Sequence, residues 1–85
     1  MESYRLFIKP SAVKELEANP TDDRRRIVRR IEGVSVEPRR PSCEKLSGDD
    51  KYRIRQDDYR VIYFVSDERH EIVVVKIGHR REVYR

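Results

Sequence analysis

The chain has 85 residues, 36% of them apolar, which is enough for one domain (residues 1–85) with a small core. Twenty Lys and Arg against 16 Asp and Glu leave a formal charge of +4 and a pI near 9.5, a balance that points to nucleic acid or another polyanion. The single cysteine, Cys43, excludes an internal disulfide, and no signal peptide or long apolar run is present, so no membrane association is expected and a reducing cytoplasm is the expected setting.

Residues 4–8, beginning at Tyr4, alternate loosely and predict a first strand, closed by Lys9-Pro10. Pro10 suits the first turn of a helix, and Ala12, Val13 and Leu16 recur at helical spacing until Asn19-Pro20 stops the run. With Thr21 or Asp22 as N-cap, Ile27, Val28, Ile31 and Val34 then trace one face of a longer helix. Arg24, Arg25, Arg26, Arg29 and Arg30 lie largely around its other sides. Each arginine alone reads as part of a solvated face, while the group can steer the protein toward RNA. Residues 36–48 contain Pro38, Pro41 and Gly48, carry little periodicity and read as a connection, in which Cys43 is inert.

Residues 52–65 form the most informative stretch. Two runs rich in β-branched and aromatic residues flank Asp57-Asp58, which predicts a β-hairpin. A two-residue turn places Gln56 opposite Tyr59, Arg55 opposite Arg60, Ile54 opposite Val61 and Arg53 opposite Ile62. Side chains alternate across a strand, so Arg53, Arg55 and Arg60 share one surface although like charges opposed across strands destabilise a sheet. A guanidinium fork at that spacing suits phosphate. Tyr52, Tyr59 and Tyr63 alternate onto the other face and read as packing groups.

Residues 66–70 read as a polar turn, with His70 solvent-exposed and without a role, and residues 71–77 as a valine-rich strand. A five-residue turn would set Lys76 opposite Arg60 and bring Val73 and Val75 into the core with Val61 and Tyr63; a turn one residue shorter reverses this. Asp49, Asp50, Asp57, Asp58, Asp67 and Glu68 fall at turns while Arg53, Arg55, Arg60 and Lys76 fall inside strands, which separates a positive surface from the acids. Gly78 lets the backbone bend, so that Arg80 and Tyr84 can return over the basic face; the plain alternative is a frayed terminus.

The order Lys45-Leu46, Tyr52-Arg53-Ile54-Arg55, Asp58-Tyr59-Arg60-Val61-Ile62-Tyr63 and Lys76-Ile77-Gly78-His79-Arg80-Arg81-Glu82-Val83-Tyr84 resembles the RelE group of the RelE/ParE toxin superfamily. The resemblance covers nearly the whole chain. It implies an α+β fold in which two N-terminal helices pack on a small, mostly antiparallel, four-stranded sheet. It also implies a toxin of a type II toxin-antitoxin pair that enters the ribosomal A site and cuts mRNA, with a RelB-like antitoxin as partner. The attack is by the substrate's own 2'-hydroxyl on the adjacent phosphate, so no metal or other cofactor is expected.

Carried over by resemblance, Arg53 and Arg55 stand where well-known members have lysines. Arg60 matches an arginine that grips the scissile phosphate, Arg80 a second one near the leaving group, and Tyr84 a tyrosine that orients the nucleotide. Lys76, His79 and Arg81 are expected to contact RNA. Because arginine stays protonated, neither Arg53 nor Arg55 can serve as general base, which leaves His79, Glu82 or Tyr84 as candidates. The alternatives are a ParE-like toxin that inhibits DNA gyrase without catalysis, and a catalytically weakened RelE homologue.

Overall fold

A computed structural model describes residues 3–38, 43–46 and 50–79. The elements run β1 (Arg5–Ile8), α1 (Pro10–Glu17), α2 (Thr21–Val36), β2 (Glu44–Leu46), β3 (Lys51–Gln56), β4 (Tyr59–Ser66) and β5 (Glu71–His79). The strands form one sheet in the order β1-β5-β4-β3-β2, parallel between β1 and β5 and antiparallel elsewhere. The sheet thus has five strands, not four. The extra one, β2, lies in the stretch whose composition reads as a plain connection, because three residues are too few to show a period of two.

Both helices cover the same face of the sheet. Ala12 of α1 and Ile27, Ile31 and Val34 of α2 pack on Tyr52, Ile54, Val61, Tyr63, Val65, Ile72, Val74 and Ile77. Full burial of each large apolar side chain contributes roughly 1.5–3 kcal/mol. Pro10 opens α1 as expected, since its missing N–H would have no partner in the first turn. The second helix starts at Thr21, so its N-cap is Pro20 rather than Thr21 or Asp22, and Asp22 and Asp23 lie in the first turn, where the helix dipole favours them. No described helix is long and apolar enough to cross a membrane.

The register between β3 and β4 is the expected one, from Gln56 opposite Tyr59 to Arg53 opposite Ile62. Asp57 takes a positive φ of 55° in the turn, a conformation that Asp tolerates better than most residues. The next turn differs from expectation. Ser66 pairs with Glu71, so four residues make the turn, and Ile72 and Val74 enter the core in place of Val73 and Val75. A register shift between Ile62 and Tyr63 then lets Val75 bulge, which restores the original parity for the rest of the strand. Lys76 consequently lies opposite Ile62, and Gly78, not Lys76, lies opposite Arg60.

His70 is not a bystander. Its ring stacks on Tyr4 at 4.0 Å, and the Tyr4 hydroxyl donates to Asp67 Oδ1 at 2.7 Å. Tyr4 itself precedes β1, and its backbone N–H donates to the Ser35 carbonyl. These contacts fasten the segment before β1 to the β4–β5 turn and to the last turn of α2.

Candidate active site

The face of the sheet turned away from the helices carries the arginines. Arg53 and Arg55 alternate with the buried Tyr52 and Ile54 along β3, and Arg60 sits directly across from Arg55 on β4. Arg60 is the buried charged residue among those described, at 6% exposure. Two features permit this. Gly78 opposite it has no side chain to compete for the space, and the Tyr59 carbonyl accepts a hydrogen bond from Arg60 Nη1 at 3.3 Å. Gly78 therefore acts by its small size inside β5, with no positive φ and no bend.

Beside this group stands an acid that the turn-and-strand sorting of charge did not foresee. Glu44 of β2 pairs in register with Arg53, and Arg53 Nη2 donates to Glu44 Oε2. The Arg53 side chain is 10% exposed while that of Glu44 is 57% exposed. The hydrogen bond and charge of Arg53, helped by the charges of Arg55 and Arg60, hold the Glu44 carboxyl below the usual carboxylate range. Its signal was faint in the sequence, because only the β2–β3 register brings Glu44 to the arginines.

The remaining expected residues are distributed as follows. Lys76 shares the outer face by register, but its Nζ reaches Glu15 Oε2 of α1 at 2.6 Å. The other oxygen of Glu15 accepts the Ile77 N–H at 3.1 Å, on the edge of β5 beyond the reach of β1. His79 pairs with Tyr59 on the helix side, where the two rings meet edge to face at 5.9 Å. The Tyr59 hydroxyl in turn donates to Asp23 of α2. Burial foremost, and then the charge of Asp23, raise the Tyr59 phenol above its ordinary value. His79 is thus separated from Arg53, Arg55 and Arg60 by the thickness of the sheet. Arg80, Arg81, Glu82 and Tyr84 lie outside the described residues.

Chemically, the outer face offers guanidinium groups fixed before any substrate arrives, two of them largely withdrawn from water. Such preorganised charge can stabilise a phosphate whose negative charge grows during reaction.

A second feature lies on the helix side. Val13 and Leu16 of α1 and Val28 of α2 line a groove of about 510 Å³, rimmed by Arg24, Arg25 and Arg29.

Comparison with known proteins gives three results. The model of the ParE toxin of the type II toxin-antitoxin system, parDE, matches residues 6–84. Among solved structures, the chain is similar to the RelBE2 toxin-antitoxin complex from Mycobacterium tuberculosis, with 25% identity, TM-score 0.83 and 94% of each chain covered. It is also similar to the isolated E. coli RelE toxin, at 28% identity and TM-score 0.82, covering 96% of this chain and 92% of that one. The archaeal RelE-RelB complex from Pyrococcus horikoshii OT3 shares 33% identity at TM-score 0.78, covering 93% and 97%. No curated protein matches. With a family model spanning nearly its whole length and RelE folds superposing on its five-stranded sheet, the chain belongs to the toxins of type II toxin-antitoxin systems in the RelE/ParE superfamily.

Proposed function

We propose that the protein is a RelE-type endoribonuclease that cuts mRNA in the ribosomal A site, through attack of the substrate's 2'-hydroxyl on the adjacent phosphate. The observation that carries this reading is the buried Arg60 beside Arg55 and Arg53 on one face. Withdrawing a guanidinium from water is unfavourable, and its grouping with two further arginines on one face supports a role in holding an anion. Arg60 and Arg55 would hold the scissile phosphate, with Arg53 next to them. Arg80 at the leaving group and Tyr84 against the nucleotide complete the assignment by resemblance, with Arg81 on the RNA backbone. Lys76, tied to Glu15, and His79, on the helix side, are weaker candidates for RNA contact than their sequence positions imply.

The setting proposed is the cytoplasm, with the ribosome and A-site mRNA as substrate partners and a RelB-like antitoxin as inhibitor. The M. tuberculosis and P. horikoshii relatives are toxin-antitoxin complexes, which supports the last of these. The apolar groove between α1 and α2, with its arginine rim, suits an amphipathic, acidic antitoxin segment.

Purified toxin would be added to mRNA alone and to mRNA programmed on 70S ribosomes with an empty A site, and the cut ends mapped. Cleavage confined to the A-site codon on the ribosome is the expected result. The ParE family model favours a second reading, inhibition of DNA gyrase without catalysis. Growth arrest with no cleavage in either tube, and loss of supercoiling activity from gyrase, would establish that reading instead.

A further inference from the structure

Among the described residues, the arginines themselves leave one part of the proposed reaction without an agent, because a group must take the proton from the attacking hydroxyl. Arginine remains protonated, Lys76 is bound to Glu15, Lys51 lies over the Phe64 ring two rows from Arg55 and Arg60, and His79 faces the helices, while Glu82 and Tyr84 lie outside the described residues. We propose that Glu44 is the proton acceptor, an assignment that rests on the endonuclease reading.

The geometry is that of two neighbouring rows across the sheet. Glu44, Arg53 and Ile62 form one row, and Arg55 and Arg60 form the next. A phosphate held by Arg55 and Arg60 therefore lies one row along the same face from the carboxylate, with Arg55 on the strand next to Glu44. Glu44 is the open member of its ion pair, and the hydrogen bond from Arg53 uses Oε2, leaving Oε1 for the substrate. Its neighbours hold it in the ionised form, which is the form that accepts a proton, and at the same time lower its proton affinity. Those neighbours also make it responsive. When a phosphate neutralises Arg55 and Arg60, the carboxylate loses the smaller share of its support and its proton affinity rises, while the larger share, from Arg53, stays in place.

In the step itself, Oε1 takes the proton of the 2'-hydroxyl while the 2'-oxygen forms a bond to phosphorus. The bond from phosphorus to the 5'-oxygen breaks, and its electron pair stays on that oxygen, which takes a proton from water. The products are a 2',3'-cyclic phosphate and a 5'-hydroxyl end. Glu44, now neutral, returns its proton to the resulting hydroxide.

The competing role is purely positional, in which Glu44 only orients Arg53. Glu44→Gln separates the two, since the amide oxygen can still accept the Arg53 hydrogen bond but cannot take up a proton. Steady-state kcat and KM for cleavage on programmed ribosomes would be measured for the wild type, Glu44→Gln and Glu44→Asp, with melting curves to confirm folding. If Glu44 is the base, kcat of the Gln variant falls roughly 100- to 10,000-fold. Its KM stays level or drops, because a negative charge has left a phosphate-binding face, and Glu44→Asp keeps part of the rate. A Gln variant with wild-type kcat, or a KM rise with kcat intact, overturns the assignment. A wild type that cleaves nothing on the ribosome overturns it together with the endonuclease reading, whereas a cleaving wild type with an unaffected Gln variant overturns this assignment alone.

Discussion

Arg60 shows how single residues divide between stability and function. Its guanidinium is nearly enclosed, and well-packed apolar side chains of similar volume often replace buried charged groups with little loss of stability. Arg60→Met, which comes nearest in length without the charge, is therefore expected to keep the melting temperature close to that of the wild type while cleavage falls about 100- to 1,000-fold, the loss typical of one preorganised charge donor. Equal loss of fold and activity would show that Arg60 is merely structural. Tyr63 is the opposite case. It is fully buried, its hydroxyl donates to the Pro38 carbonyl at 2.7 Å, and burial pushes its phenol far above the ordinary value. Tyr63→Phe leaves that carbonyl without its donor and should lower stability by about 1–2 kcal/mol in urea titration. An unchanged midpoint would mean that the carbonyl finds another donor. The alternation of Arg53 and Arg55 with Tyr52 and Ile54 was legible in the sequence because a strand needs only a period of two. Glu44 was not, since its meaning depends on a partner strand that begins several residues later.

Among the elements, the two helices were readable from their apolar spacing and from Pro10 and Pro20, and the β3–β4 hairpin from its turn. The β4–β5 connection was not, because the turn length and the bulge at Val75 each invert the pattern, and two inversions cancel for Lys76 while leaving Val73 and Val75 out of the core. The turn is held by an unusual choice of residue. His70 has a positive φ of 56°, which glycine adopts without steric cost and alanine does not, yet its ring is stacked on Tyr4. Both His70→Ala and His70→Gly lose the stack, so their difference isolates the backbone. His70→Gly should be the more stable of the two by about 1 kcal/mol in denaturant titration. The reverse order would show that the turn relaxes to another conformation when the ring is gone.

For the molecule as a whole, the sheet separates two surfaces of different character. One presents arginines fixed on strands; the other presents α1 and α2 with an apolar groove between them. An antitoxin could silence the toxin from either side, and the two routes are distinguishable. Val28→Asp, in the groove, places an acid where an acidic partner would lie. It should weaken antitoxin binding by at least tenfold in calorimetry while leaving cleavage by the free toxin unchanged. Undiminished binding would move the antitoxin to another surface.

The parallel pairing of β1 with β5 also governs when the protein can exist. Arg5 pairs with Glu71, and the Arg5 N–H donates to the His70 carbonyl, so the first strand waits for the last. Contacts between distant parts of a chain form late in folding. Until β5 has emerged during synthesis, the helices lack Ile72, Val74 and Ile77 beneath them, and Arg60 lacks Gly78 across from it. Nascent chains stalled behind added C-terminal linkers of increasing length should stay open to protease until β5 is free, and protection with β5 still enclosed would contradict this. Completion of the fold and completion of the arginine site are then one event, which gives a partner an interval to meet the chain before the chain is able to act.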